Sequence, residues 1–286
     1  MKRIYPAFAA MLCTLPLLHT AASAEDAALT FELTVDDSYV FASELAEKDF
    51  TVGGAFWIRN YTAFSGMKTI LTSDAPVIIE DGHFTEPNFF ASSSYQMYRQ
   101  KSEITDDTNI IMWSSPDDPE TLDFAPNEVA NPEGSFAEFT VRVPKETAPG
   151  VYHLEFRNGY IQENPGIIVE DTYVKMGRDA VPFTLQGCRI VVEPDALRGD
   201  VNCDGKIDIS DAKRTLDYHV LTNLLDETPD DAGLERHFAT PYIHTALSAA
   251  DAKQDGVLDS EDARAILNYY TILLTDAEPD WAECVS

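Results

Sequence analysis

Positive charge is what this sequence has little of. Twenty Lys and Arg residues stand against 49 Asp and Glu in 286 residues, a formal net charge of −29. Such a surface repels a phosphate backbone and an anionic bilayer face, which argues against nucleic acid and membrane as partners and favours cations or basic surfaces. Cysteine is scarce as well: there are four, and Cys13 falls in the apolar leader. The other three, Cys188, Cys203 and Cys284, are an odd number and fit no zinc spacing, so neither a disulfide framework nor a zinc module is expected. One bridge, Cys203–Cys284, can tie the ends of the last domain together; free thiols are the alternative. Long apolar runs are also missing. Beyond residue 24 nothing approaches the roughly 20 apolar residues that a membrane span needs. No histidine lies in a nucleophile or zinc motif, and His83 and His153 read as ordinary strand or loop residues. Apolar and aromatic residues, at 44% and 10%, are plentiful enough to exclude global disorder.

The N-terminus sets the compartment. Lys2 and Arg3 precede an apolar stretch from Ile4 to Leu18, and Ala22-Ser23-Ala24 is a small-x-small cleavage signature. Residues 1–24 read as a secretory signal peptide, so the mature protein is expected to be secreted and extracellular.

The remainder divides in composition near residue 195. Residues 25–195 carry a period of two: Phe139, Val141 and Val143 alternate with Thr140 and Arg142, and Tyr152, Leu154 and Phe156 alternate with His153 and Glu155. Further strands are expected at 29–35, 50–60, 67–72, 76–80, 109–113, 166–175 and around Ile190–Val192. Turn residues such as Asp81-Gly82 and Ala148-Pro149-Gly150 punctuate them. Nine or ten short strands without a long helix predict an all-β antiparallel sandwich. The polar connections 84–108 and 114–133 leave room for an extra hairpin or short helix.

Residues 196–286 have helical spacing and an internal repeat. Asp200-Val201-Asn202-Cys203-Asp204-Gly205-Lys206-Ile207-Asp208-Ile209-Ser210-Asp211 is echoed 51 residues later by Asp251-Ala252-Lys253-Gln254-Asp255-Gly256-Val257-Leu258-Asp259-Ser260-Glu261-Asp262. Both follow the twelve-residue calcium-loop spacing, with side-chain oxygens at positions 1, 3, 5, 9 and 12 and a backbone carbonyl at 7. Calcium takes six to eight oxygens at about 2.3–2.6 Å, so the chain must wrap tightly, and glycine at position 6 permits the turn. In loop one Asp200, Asn202, Asp204, Asp208 and Asp211 supply side chains and Lys206 its carbonyl. In loop two Asp251, Asp255, Asp259 and Asp262 do so, with the carbonyl of Val257. Lys253 replaces an oxygen donor at position 3. Two unit charges at 4 Å interact by about 4 kcal/mol at an effective dielectric of 20. Lys253 is expected to swing outward and let water fill the gap, which leaves the second of the two Ca2+ sites the weaker and empty at low calcium. The aliphatics at position 8, Ile207 and Leu258, are expected to face inward and pair the loops.

Position 12 is Asp where an ordinary EF-hand has Glu, and Pro194 and Arg198-Gly199 do not read as an incoming helix. Each repeat (199–222 and 250–273) is therefore expected to be a loop plus an outgoing helix. Ala212, Leu216 and Val220 recur at helical spacing after loop one, and Ala263, Ile266, Leu267 and Tyr270 after loop two; such stripes are a core face by default. Between the repeats, residues 223–248 form an insertion whose segment from Asp230 to His237 has room for a short helix.

This constellation resembles a dockerin, and the string GDVNCDGKIDISDA at 199–212 is especially similar to ruminococcal-type dockerins. The resemblance implies a small all-α module with two calcium loop–helix units that binds a cohesin module of a scaffoldin. The implied partner contacts are Ile209, Ser210, Leu216 and Asp217 in repeat one, and Ser260, Glu261, Leu267 and Asn268 in repeat two. Leu216 and Leu267 can equally belong to the core. The segment from Gly134 to Phe156, a strand, an Ala-Pro-Gly-Val-Tyr turn and a second strand, is similar to part of a cohesin. That implies a nine-stranded jelly roll receiving dockerin-bearing proteins. Together the resemblances imply a non-catalytic adaptor scaffoldin of a cellulosome serving polysaccharide degradation. Two alternatives stand beside it. One is a dockerin-borne carbohydrate-binding module, with Trp57, Trp113, Tyr95 and Tyr98 as a stacking platform or as core. The other is a small glycoside hydrolase, which needs two carboxylates about 5–9.5 Å apart; no motif selects such a pair.

Overall fold

The computed structural model describes residues 28–85, 89, 95–100, 108–114, 129–164, 167–170, 172–275 and 278–285. The leader at 1–24 lies outside them. The N-terminal part is a two-sheet β-sandwich, as its alternating pattern requires. Its strands are β1 (Leu29–Val35), β2 (Tyr39–Phe41), β3 (Phe50–Arg59), β4 (Gly66–Ser73), β5 (Ile78–Phe84), β6 (Tyr95–Gln100), β7 (Thr108–Ser114), β8 (Ala137–Val143), β9 (Gly150–Phe156), β10 (Tyr160–Asn164), β11 (Ile167–Glu170), β12 (Tyr173–Met176), β13 (Asp179–Ala180), β14 (Phe183–Gln186) and β15 (Cys188–Glu193). One sheet runs β14-β1-β3-β8-β5 and the other β13-β12-β4-β9-β15-β2, with β7 also on β4 and β6 on β7. The hairpin β6–β7 uses parts of the long connections, and β10–β11 makes a separate hairpin.

The core lies between the sheets. Phe56 sits at its centre, with ring centroids 5.2 Å from Phe31, 5.3 Å from Phe136 and 5.2 Å from Phe156. All four rings are buried, and burying a side chain of that size contributes about 2–3 kcal/mol.

The sheets are not antiparallel throughout, which corrects the expectation. β14 lies parallel to β1, and β15 parallel to β2. The cause is that both terminal segments change sheets. The chain crosses between β1 and β2 at 36–38, and between β14 and β15 at Gly187, so the first and last strands accompany each other through both layers. Gly187 makes that crossing possible: a Cβ there would lie 2.5 Å from the Leu154 carbonyl oxygen.

The C-terminal part is helical: α1 (Ile209–His219), continued by a π-helical turn at Val220–Leu224, then α2 (Asp231–Phe238), α3 (Ile243–Ala250), α4 (Ser260–Leu273) and α5 (Trp281–Cys284). α2 fulfils the short helix expected in the insertion. α3 is a correction. It runs directly into Asp251, so the second repeat has an incoming helix while the first does not. Its Ala-rich run has high helix propensity, and the sandwich caps its start: the buried Glu193 carboxylate accepts from the His244 and Thr245 N–H groups at 3.3 and 2.6 Å. No described helix is long and apolar enough to cross a membrane.

Candidate functional site

The two acidic loops close on themselves through a shared set of backbone-to-carboxylate bonds. Asp200 accepts from the Asp204 and Gly205 N–H groups at 3.1 and 2.9 Å; Asp251 accepts from Asp255 and Gly256 at the same distances. Asp204 accepts from Lys206 N–H at 3.0 Å, and Asp255 from Val257 at 3.0 Å. Asp211 reaches back to Asp208 N–H at 2.8 Å, and Asp262 to Asp259 at 2.9 Å. Asp208 and Asp259 are also the N-caps of α1 and α4. Each loop therefore finishes by starting a helix, which is why an Asp at position 12 serves: it is already folded back over the first turn. Gly205 and Gly256 have φ of +82° and +78°, as the sixth position demands.

Burial differs along the loop. Asp200, Asp211 and Asp262 are buried, and burial pushes their carboxyls above the ordinary value. Asp208 is held below it by the Ser210 hydroxyl and N–H. Among the described residues no three His, Cys, Asp or Glu side chains are gathered into a metal cluster, the loop carboxylates being turned onto backbone N–H groups. The donor chemistry of loop one nevertheless fits a hard cation. Its five side chains at positions 1, 3, 5, 9 and 12 all present oxygen, Lys206 is exposed, and none of the described ion pairs reaches a loop-one carboxylate.

Among the five side-chain ligand positions, loop two differs from loop one only at position 3. Lys253 does not swing outward, contrary to expectation. Its Nζ lies 2.8 Å from Asp255 Oδ2 and 3.5 Å from Asp259 Oδ2. The opposite charges so close together make the inward pose the favourable one, and Asp255 is held below its ordinary pKa chiefly by its hydrogen bond from Lys253. In loop one the corresponding donor is the neutral Asn202 Nδ2, 3.1 Å from Asp204 Oδ2. Ile207 and Leu258 are half-buried against one shared core that includes Val201, Ala212, Phe238 and Ile266.

The helices α1 and α4 lie side by side and leave a shallow groove of about 350 Å3 between them. Ile209, Ala212, Lys213 and Leu216 line one side, and Ser260, Ala263, Arg264 and Leu267 the other. Each residue of the first set has its counterpart 51 positions on, so the groove has the pseudo-twofold character of the repeat. The open alternative for the leucines is decided: Leu216 and Leu267 are 43% and 40% exposed, and Ile209 is 61% exposed. The core face of α1 is instead Asp211, Ala212 and Thr215, so the Ala212–Leu216–Val220 stripe is corrected. Polar Thr215 was invisible as a core residue because its hydroxyl donates inside the helix to the Asp211 carbonyl.

Of the other implied contacts, Ser210 has its N–H on Asp208, Asp217 is paired with Lys213 at 2.6 Å, and Glu261 is paired with Arg264. Asn268 is removed from the face. Its Nδ2 donates to the Cys284 carbonyl at 3.2 Å, tying α4 to α5. Lys213 and Arg264 are the residues sequence reasoning missed. The signal was present, since both sit one turn beyond the position-10 residues and match across the repeat.

The three described cysteines, Cys188, Cys203 and Cys284, are free, so the Cys203–Cys284 bridge is not formed. Burial pushes the Cys203 thiol up to about 11 and the Cys188 thiol up to about 12. What closes the module is aromatic: Trp281 stacks on Tyr269 at 4.2 Å, and the Arg198 guanidinium lies 4.6 Å from its ring. In the sandwich, Trp57 donates to Thr34 Oγ1 at 2.9 Å and is covered by Arg59 at 4.3 Å. The side chains of Tyr95, Tyr98 and Trp113 lie outside the described residues. His83 faces Glu138 at 3.6 Å and His153 faces Asp74 at 3.0 Å, both exposed.

No protein-family model matches this sequence, and no curated protein matches it. Similar solved structures are cohesin modules. A type II cohesin domain from the cellulosome of Acetivibrio cellulolyticus is 16% identical over 57% of this chain and 95% of its own, with a TM-score of 0.38. The third ScaB cohesin of R. flavefaciens, in complex with a group 1 dockerin, is 17% identical over 57% of this chain and 94% of its own, with a TM-score of 0.35. A type I cohesin–dockerin complex of Clostridium thermocellum, Coh-OlpC-Doc435, gives 12% identity over 58% of this chain and 94% of its own, with a TM-score of 0.38.

Proposed function

We propose that this chain is a secreted, non-catalytic adaptor whose C-terminal half is a dockerin and whose N-terminal sandwich is a cohesin-like receptor. The observation that carries the reading is the pair of loop–helix units with equivalent hydrogen bonds and an exposed apolar groove between their helices. Asp200, Asn202, Asp204, Asp208 and Asp211, with the Lys206 carbonyl, would hold a calcium ion. The ion supplies positive charge against the carboxylates. The chain's own part is to hold Asp208 as N-cap and Asp211 over the first turn, so that loop order sets the pitch of α1. Ile209, Leu216 and Leu267 then form the apolar centre of a docking face, with Lys213 and Arg264 as two cations on an otherwise acidic chain. A cohesin face with apolar residues flanked by acids is complementary to it. The sandwich would receive a second protein of the dockerin class, and the pair of interactions would place polysaccharide-degrading enzymes on a scaffold.

The test is capture by immobilised cohesins, using the full mature chain with calcium and with EDTA. Retention with calcium, lost in EDTA, is expected. The double variant Leu216→Asp and Leu267→Asp should weaken capture at least 100-fold while leaving the circular dichroism of the folded chain unchanged. Retention that ignores both treatments defeats the dockerin reading. Retention of the chain on polysaccharide, without capture of any dockerin, transfers the sandwich to the carbohydrate-binding alternative.

A further inference from the structure

We infer that the second loop is closed by its own Lys253 ammonium and takes no calcium ion, so that the repeat supports one metal site where its spacing announces two. The inference builds on the reading of loop one as a calcium loop. The two loops share most of their backbone bonding. Positions 1, 5, 6, 7, 9 and 12 make matching backbone bonds in both. Among the side-chain ligand positions 1, 3, 5, 9 and 12, position 3 is the one that differs, and the difference brings a positive charge into the ligand set. Asn202 directs a neutral amide at the position-5 carboxylate, while Lys253 directs a full positive charge at the same place.

Nζ of Lys253 touches the carboxylates of positions 5 and 9 together, Asp255 at 2.8 Å and Asp259 at 3.5 Å. These are two of the four side chains loop two has left for a metal. An incoming divalent ion must first break both ion pairs, and it then shares the loop with a displaced like charge on the same short stretch of chain. It recovers no oxygen at position 3, since an ammonium has no lone pair to offer. Loop one imposes none of these costs. Lys253 is also held in place, its side chain only 26% exposed. Its own N–H donates to Asp262 Oδ1 at 2.9 Å, so the residue at position 3 is anchored by its backbone to position 12 and by its side chain to positions 5 and 9.

The consequence is an asymmetric module. α4, which starts at the second loop, is set by an internal cation and should stay in place when calcium is withdrawn. α1, which starts at the first, should respond. The calcium dependence of the groove then enters from one side only, through Ile209 and Leu216.

The experiment counts calcium ions on the full mature chain by isothermal titration and native mass spectrometry, and follows amide exchange on chelation. The parent chain should bind one calcium. Chelation should speed exchange at least tenfold at 201–211 and leave 253–262 unchanged. Lys253→Asn should bind two. Two ions on the parent chain overturn the inference while the loop-one reading survives. No ion on the parent chain overturns the loop-one reading; Lys253→Asn then still decides the inference, which stands if the variant gains an ion and falls if it does not. One ion on both chains shows that Lys253 is not what keeps calcium out, and also overturns it.

Discussion

Gly205 carries the tightest backbone demand in the first loop, and its environment isolates the cause. At φ +82° nothing lies within 4 Å of where a Cβ would be, so an alanine there meets strain and no clash. Gly205→Ala should cost about 1–2 kcal/mol, the usual penalty for a left-handed L-residue. On the proposed role of loop one the substitution should also weaken calcium binding, because the strained turn is the one that would wrap the ion. Gly256→Ala, at φ +78° in equally open space, should cost the same stability with no effect on calcium. Thermal denaturation of the two variants, each with and without calcium, checks both halves. The backbone course of loop one was legible because the twelve-residue spacing specifies a residue type at each position, glycine at the sixth included. The direction of Lys253 was not. A side chain with four flexible methylenes goes where the field sends it, and that field comes from two aspartates brought together by the folded turn.

The positions of α1 and α4 were plain from periodicity, but the side each buries was not. α1 and α4 are apolar on more than one face, and in α1 a small polar residue, Thr215, takes the core position while Leu216 is left outside. Such an exchange happens when neighbouring helices approach closely: small residues at 212, 215, 263 and 265 let α1 and α4 come together, and the larger leucines are displaced to the rim. Asn268 shows the same logic at the other end of α4. The dockerin resemblance placed it with the implied partner contacts, but it is half-buried and its Nδ2 donates to the Cys284 carbonyl of the last helix. Asn268→Ala should therefore lower stability by about 1 kcal/mol, the net worth of one hydrogen bond, and leave capture by an immobilised cohesin unchanged. Urea unfolding and the capture assay read the two effects separately. The incoming helix α3 was overlooked for a related reason. Its first turn has no side-chain cap of its own, and the cap comes from a residue about fifty positions earlier.

That residue, Glu193, joins the two halves of the molecule. It stands at the end of the last sandwich strand and its buried carboxylate holds the start of α3. Around it, Thr245 Oγ1 donates to the Pro194 carbonyl at 2.7 Å, Tyr39 Oη donates to Asp231 at 3.2 Å, and Arg189 pairs with Glu235. Burial and the Asp231 carboxylate raise the Tyr39 hydroxyl to about 12, so it remains a donor at any physiological pH. The helices of the insertion therefore act as a bracket between sandwich and loops. Glu193→Ala should cost about 2 kcal/mol, because it strands buried N–H groups. It should also split a single unfolding transition into two, which differential scanning calorimetry would resolve. A single transition shifted as a whole would mean that the bracket is held by the surrounding contacts and not by this carboxylate.

Local chemistry determined what the sequence could determine alone. Ligand spacing marked both loops, alternation marked the sandwich strands, and the 51-residue echo marked the two helices that frame the groove. Each of these signals is a local pattern of a dozen positions or fewer, in the last case one that recurs 51 residues on. The parallel pairing of first and last strands, the outward leucines, the inward lysine, the free cysteines and the bracket at Glu193 were decided only by the tertiary structure. All of them depend on groups far apart in the chain meeting at a particular distance, and neither composition nor periodicity contains that distance.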